Sequence, residues 1–211
     1  MNNILILMNI IHHREKHIYT APMNSPSDLM APRMDKDQCV FLVIDMQERA
    51  LPHQHESARA IDNIVRFIKG GTRYGIPVIV VEQNSPKLGC TPDRIREAAP
   101  EHRFIEKHTL SCFRDPAFAS YFESLGRRQI LLSGSETQIC VLMTAHDAIE
   151  RGYDVFVLGD GVTSRTARNI ELGLKRMEQA GVLIESTESA LFELIERSDD
   201  EHFKFILSII K

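Results

Sequence analysis

Apolar runs of three to six residues alternate with helically spaced stretches along most of the chain. The first run, residues 39–44, is uninterrupted and stops at Asp45, which is typical of a strand buried on both faces. Further strands are predicted at residues 77–81, 104–107, 129–133, 153–158 and 182–184. Helices are predicted at residues 58–74, 116–125, 137–151, 167–180, 188–196 and 202–210. This alternation predicts an α/β fold with a mostly parallel sheet and helices on both faces.

The first 36 residues do not share this pattern. Three prolines, with asparagine and serine among them, interrupt any helical or strand period there. We therefore expect residues 1–36 to be a flexible N-terminal extension and residues 37–211 to form one domain.

Three polar residues stand where predicted strands end. Asp45 follows the first strand, Lys107 closes the third, and Cys140 follows the fourth, in the first turn of a helix. In open parallel sheets, reactive groups collect beyond the carboxyl ends of the strands. With Thr137 as N-cap, Cys140 would be at position N3, close to the positive end of the helix dipole. We expect Lys107 to favour the thiolate, Asp45 to take the thiol proton, and backbone amides of residues 133–136 to bind an oxyanion.

Each of these residues also has an ordinary interpretation. A single cysteine is most often a core residue, an aspartate after a strand is often a turn residue, and a lysine is usually a solvated charge. Only the coincidence of all three at strand ends favours catalysis.

The residues around these positions carry longer motifs. Residues 43–47 are VIDMQ, residues 132–141 are LSGSETQICV, and residues 160–165 are DGVTSR. Lys107 begins a K-x-x-x-S-x-F pattern that ends at Phe113. Over residues 39–190 the sequence resembles the isochorismatase-like (cysteine hydrolase) superfamily, and residues 82–89 are most similar to its poorly characterised isochorismatase-domain hydrolases.

The resemblance implies a three-layer αβα, Rossmann-like sandwich with six strands in the order 3-2-1-4-5-6. It implies a catalytic triad of Asp45, Lys107 and Cys140. It also implies a cis peptide between Ser135 and Glu136, which would aim the N–H groups of Glu136 and Cys140 at an oxyanion.

A substrate pocket is expected beside this triad. Gln47, Leu88 and Phe113 are the candidate lining residues, although Leu88 and Phe113 could equally be ordinary core. Because the nucleophilic cysteine is retained, the resemblance favours hydrolysis of an amide-type C–N bond of a small molecule through a thioester.

Two other functions stay open. The chain could be a catalytically silent binding or scaffold protein on the same fold, or a metal-assisted amidase. His53 and His55 form a His-x-His pair, but no aspartate accompanies them as in metal-dependent relatives, so two solvated loop histidines are the simpler interpretation. We expect no metal and no cofactor.

The amino-acid composition limits the kinds of binding partner and the cellular location that we expect for the protein. The net charge of -4 gives no electrostatic reason to bind nucleic acid or an anionic membrane. The four cysteines show no C-x-x-C spacing, and no apolar run approaches the roughly 18 residues of a membrane helix. We expect a cytoplasmic protein with free thiols and a small-molecule substrate, and the resemblance implies a homo-oligomer, a dimer or larger.

Overall fold

The computed structural model describes residues 31–211, and residues 33–211 form one compact unit. Most of the predicted N-terminal extension, residues 1–30, lies outside the described residues. Met34 is already buried in the core, and the Asp35 N–H donates to Oε1 of Gln129 at 2.7 Å. The compact unit therefore includes residues 33–36, which the sequence assigns to the extension.

The sheet has six parallel strands in the order β3-β2-β1-β4-β5-β6, as predicted. The strands are β1 (Cys39–Ile44), β2 (Val78–Gln83), β3 (Arg103–Lys107), β4 (Gln129–Ser135), β5 (Asp154–Thr163) and β6 (Leu183–Glu185). Strand β1 is fully buried because its side chains alternate between the two helical layers.

Helices cover both faces of this sheet. They are α1 (Ser57–Gly71), α2 (Ser85–Leu88), α3 (Asp93–Ala98), α4 (Pro116–Ser124), α5 (Leu142–Glu150), α6 (Ala167–Gln179), α7 (Thr187–Ile195) and α8 (Phe203–Ile210). Helices α1, α3, α7 and α8 pack in one apolar cluster, and α4, α5 and α6 pack in the other. The predicted three-layer αβα sandwich is confirmed. No helix among residues 31–211 is both long and apolar enough to cross a membrane.

Some boundaries differ from the prediction. The short helix α2 was not predicted, because it is not long enough to show a helical period. Strand β5 continues to Thr163, five residues past its predicted end, and its register against β4 shifts between Leu132 and Gly134. This extension brings β5 alongside the end of β4, just before the segment that carries Cys140.

Gly134 sets how closely strands β1 and β4 approach at this edge. Its φ is +120°, and a Cβ atom there would collide with the backbone of Ile44. Only glycine has both the backbone freedom and the space for this position. The end of β4 can therefore lie directly against the residue that precedes Asp45.

Candidate active site

A buried ion pair lies at the carboxyl edge of the sheet. Lys107, the last residue of β3, donates from Nζ to Oδ2 of Asp45, which follows β1, at 2.9 Å. The Lys107 residue is 0% exposed and Asp45 is 7% exposed. Strand β2 separates the two strands, so the pair joins groups that only the parallel sheet brings together.

Asp45 has two unusual features. Its φ is +52°, in the left-handed region that few residues other than glycine adopt, and such strain often occurs at functional sites. Its second carboxylate oxygen, Oδ1, is buried and has no hydrogen-bond partner among residues 31–211. That oxygen therefore has free lone pairs that could accept a proton.

Cys140 is 7% exposed and lies in a π-helical turn, Thr137–Val141, that precedes α5. The Val141 N–H donates to the carbonyl of Glu136, five residues back, which is the π-helical spacing. The prediction of Thr137 as N-cap is wrong: Glu136 holds that position, because the Thr137 hydroxyl donates to the Thr163 carbonyl of the extended β5 at 2.8 Å. Cys140 is therefore the fourth residue of the turn instead of N3.

The charges around the sulfur favour the thiol in the resting protein. Burial raises the pKa of Cys140, the carboxylate of Asp45 raises it further, and Lys107 lowers it only in part. Burial also raises the pKa of Asp45, against the opposing influence of Lys107 and of the Cys140 thiol. The expectation that Lys107 and the helix dipole hold a resting thiolate is therefore not supported. The sulfur needs a base, and the carboxylate beside it has become a stronger one.

The Ser135–Glu136 peptide is trans, so the prediction of a cis bond there is wrong: residues 31–211 contain no cis peptide. Ser135 remains paired with Thr163 of β5, and the Glu136 carbonyl accepts the N–H of Ile139 at 2.9 Å. The assignment of the Glu136 and Cys140 amides to an oxyanion stays a prediction.

The Glu136 carboxylate is fixed at the start of the π-helical turn that contains Cys140. It accepts hydrogen bonds from Gln54 (2.9 Å), Gln138 (2.8 Å) and Ser164 (3.0 Å), and pairs with Arg165 at 3.2 Å. Burial alone would raise the pKa of Glu136, but these donors outweigh it and lower the pKa. Glu136 is therefore an anion that ties three segments together around the turn.

The candidate pocket residues have different environments. Gln47 is buried, and its amide bonds to backbone: Nε2 donates to the Gly89 carbonyl at 2.7 Å, and Oε1 accepts the Gln83 N–H at 2.8 Å. Phe113 is buried in the core, within a group of four aromatic rings. Leu88 is half-buried at the end of α2. The side chain of Gln47 thus supports the loop after β2 instead of facing a pocket.

A short loop connects Lys107 to Phe113. Both of its ends are buried, whereas Leu110 at its middle is 47% exposed. The loop is therefore anchored on both sides, next to the ion pair.

The two candidate metal-binding histidines are solvent-exposed. His53 ends a short 3-10 turn, and the His55 side chain is 43% exposed, four ångströms from Glu56. Within the described part of the chain, no three His, Cys, Asp or Glu side chains are grouped as a metal site requires.

Sequence reasoning missed Gln83. Its Oε1 accepts a hydrogen bond from Lys107 Nζ at 2.7 Å. A usable signal existed, because Gln83 is the last polar residue of β2 and pairs in register with Lys107.

Comparison with known proteins places the chain in a family. Residues 39–189 match the family model described as Isochorismatase domain. The chain belongs to the isochorismatase family. Its sheet and flanking helices are those of an isochorismatase-family hydrolase fold.

Two curated isochorismatase-family relatives cover most of the chain. The "Secreted isochorismatase effector Isc1" of Phytophthora sojae is 31% identical over 183 residues, which are 85% of this chain and 87% of the relative. The "Isochorismatase domain-containing protein 2" of Danio rerio is 30% identical over 181 residues, 84% of this chain and 89% of the relative. A solved structure, the MAR1 ribonuclease from Caenorhabditis elegans, superimposes with a TM-score of 0.80 at 29% identity, covering 85% of this chain and 92% of that one.

Proposed function

We propose that the protein is a cysteine hydrolase that cleaves an amide-type C–N bond of a small molecule. Cys140 is the nucleophile, Asp45 is the general base and acid, and Lys107 stabilises the negative charge that develops. The observation that carries this proposal is the buried ion pair of Asp45 and Lys107 beside the Cys140 thiol, in which one carboxylate oxygen has no hydrogen-bond partner among residues 31–211.

The reaction follows from those neighbours. Asp45 takes the thiol proton, and the sulfur attacks the substrate carbonyl to form a tetrahedral oxyanion. When this intermediate collapses, the C–N bond breaks, the amine leaves with the proton from Asp45, and a thioester remains on Cys140. Asp45 then removes a proton from water, hydroxide adds to the thioester, and the carboxylic acid product and the free thiol are released.

The buried setting supports this assignment of roles. A carboxylate with a raised pKa is a better base, and it needs to be ionised to act. Lys107 lies in the same buried site, where a charge stabilises a neighbouring anion more strongly than it would in water. We expect the reaction rate to rise with pH through a pKa above the ordinary aspartate value of 3.8.

Thiol alkylation tests the nucleophile. Cys90 is exposed and would react as an ordinary thiol, so the experiment uses the Cys90→Ala protein, which retains Cys39, Cys112 and Cys140. With iodoacetamide at pH 6–8, we expect mass spectrometry to find one modified cysteine, Cys140, and no fast modification in the Cys90→Ala/Cys140→Ala protein. Three equally slow thiols would contradict the proposal and favour the silent scaffold.

A panel of small amides then tests the reaction. We expect ammonia or amine release from at least one member, and none from Cys140→Ala. Acid quenching should trap an acyl adduct on Cys140. Activity that survives the loss of Cys140 but is lost on removal of metal would instead identify a metal-assisted amidase.

Homo-oligomer formation and a cytoplasmic location stay predictions. Light scattering of the purified full chain and imaging of the tagged protein in its own cells would test them.

A further inference from the structure

The Lys107 ammonium has three N–H bonds, and the structure gives acceptors for two. One bond points to Oδ2 of Asp45 at 2.9 Å and another to Oε1 of Gln83 at 2.7 Å. Within residues 31–211, no other acceptor lies within hydrogen-bonding distance of Nζ. Two fixed bonds set the rotation of an ammonium group about its Cε–Nζ bond, so the direction of the third N–H is also set.

The Gln83 amide can take only one orientation. Its Nε2 donates to the backbone carbonyl of His108 at 3.1 Å, while its Oε1 accepts from Lys107. A carbonyl oxygen can only accept and an ammonium can only donate, so a flipped amide would lose both bonds. Gln83 therefore links the end of β2 to both Lys107 and the residue after it.

The backbone of Gln83 is itself held in place. The amide of Gln47 accepts the Gln83 N–H at 2.8 Å and donates to the Gln83 carbonyl at 3.2 Å. Gln47 follows Asp45 by two residues, so the residues that hold Lys107 are tied to the segment that carries its ionic partner. Gln83 also pairs in register with Lys107 across β2 and β3.

Gln83 provides this second bond without a charge. Asp45, Lys107 and the neutral thiol together carry no net charge, and transfer of the thiol proton to Asp45 keeps that balance. A second carboxylate at position 83 would add a negative charge beside the developing thiolate and oppose its formation.

We propose that Gln83 is a positioning residue of the hydrolase: it orients the Lys107 ammonium so that its third N–H faces the Cys140 sulfur and the substrate oxyanion. The inference rests on the proposed function, because it assigns an oriented role to Lys107 in that reaction. Gln47 assists by fixing the Gln83 backbone.

The test compares the pH dependence of Cys140 alkylation among position-83 variants in the Cys90→Ala background, with iodoacetamide as the probe. Loss of a hydrogen bond to a charged group should slow alkylation in Gln83→Leu by about tenfold. Gln83→Glu keeps the acceptor and adds a charge, so we expect its rate profile to move to higher pH. Gln129→Leu is the control: Gln129 is buried and bonded to backbone, whereas Gln83 is half-buried, and Gln129 lies at the opposite edge of the sheet.

Unchanged rates and profiles in both Gln83 variants would overturn the proposal. The proposal would also be overturned if Gln129→Leu slowed Cys140 alkylation as much as Gln83→Leu does, at an equal loss of thermal stability. If Gln83→Leu does not fold, the profile of Gln83→Glu decides, because that side chain has the same length.

A second readout separates this inference from the proposed function. In protein labelled with ¹⁵N-lysine, we expect a slowly exchanging Lys107 ammonium signal, identified by its loss in Lys107→Met. Gln83→Leu should shift it or speed its exchange, and Gln129→Leu should not. If Gln83→Leu changes the Lys107 signal but Cys140 is unreactive, the proposed function is rejected and the orientation of Lys107 by Gln83 is supported. If the Lys107 signal is the same with and without Gln83→Leu, that orientation is overturned.

Discussion

Each of the two edges of the sheet contains a buried cysteine and a hydrogen-bonded glutamine, which is buried at the amino edge (Gln129) and half-buried at the carboxyl edge (Gln83). The two glutamines bind different kinds of group. At the amino edge, Gln129 binds the backbone of Arg33 and Asp35, and Arg127 donates to the Cys39 carbonyl at 2.9 Å. At the carboxyl edge, Gln83 binds the side chain of Lys107. Gln129 therefore joins backbone segments, whereas Gln83 bonds a charged side chain.

The two cysteines show what makes a buried thiol chemically useful. Burial raises the pKa of Cys39 to about 12, and burial also raises the pKa of Cys140. Both sulfurs are therefore thiols at rest. Cys140 differs because Asp45 beside it has an oxygen with free lone pairs and Lys107 supplies a positive charge. Under the proposed function, the reactivity of Cys140 would thus depend on the neighbours of its sulfur, since burial is common to both thiols.

The largest expected effect concerns how closely the backbone segments pack at each edge of the sheet. Gly134→Ala should destabilise the protein by more than about 4 kcal/mol, because the new Cβ collides with the backbone of Ile44 at a φ of +120°. The matched change at the amino edge is Gly75→Ala, where φ is +70° and the space is empty. It should cost about 1–2 kcal/mol. Urea unfolding of the two variants measures the difference, and equal losses would show that the two edges are equally tolerant.

Removal of the Lys107 charge should have the next largest effect. Lys107→Met leaves the Asp45 carboxylate buried without its partner, and we expect a loss of about 3–5 kcal/mol together with loss of fast Cys140 alkylation. The double variant Asp45→Leu/Lys107→Met should regain most of that stability but none of the reactivity. Calorimetry measures the stability of both variants, and alkylation rates measure the reactivity of Cys140. A stable, reactive Lys107→Met protein would remove the ion pair from the mechanism.

The smallest effect concerns Cys39 and pH. Because the fold raises its pKa from 9.0 to about 12, the protonated thiol contributes stability below pH 9 that is lost as the pH rises toward 12. In Cys39→Ala, the free energy of unfolding should therefore fall less steeply over this range, by about 1.4 kcal/mol per pH unit. Denaturant titrations at pH 9 to 11 measure the slope. Cys90→Ala, which removes an exposed thiol, should leave it unchanged, and identical slopes in all three proteins would contradict the burial argument.

The sequence pattern predicted the sheet because buried parallel strands leave a strong signal. The run of residues 39–44 is typical of a strand covered on both sides, and its end located Asp45. The same reasoning placed Lys107 and Cys140 at the ends of strands that the structure puts at one edge. The order of the strands came from the family resemblance, whereas the meeting of strand ends at one edge follows from the parallel sheet that the pattern predicts.

Local geometry at the site could not be predicted in the same way. Thr137 has the side chain of an N-cap, but its hydroxyl reaches the Thr163 carbonyl instead, since β5 is longer than its apolar run. The π-helical turn around Cys140 results from such tertiary contacts, which leave no period in the sequence. The roles of Gln47 and Gln83 were difficult to predict for a related reason. The sequence shows that a polar residue lies at a strand end, but it does not show which group that residue binds.

The loop between Lys107 and Phe113 has a practical consequence for optical measurements. The chain contains no tryptophan, so the protein has no tryptophan emission of its own when fluorescence is excited at wavelengths that tyrosine does not absorb. Leu110 projects from a loop whose two ends are fixed in the core, three residues from the ammonium. A single indole introduced there by Leu110→Trp would be a reporter for ligand arrival at the reacting groups, without altering any residue that holds them.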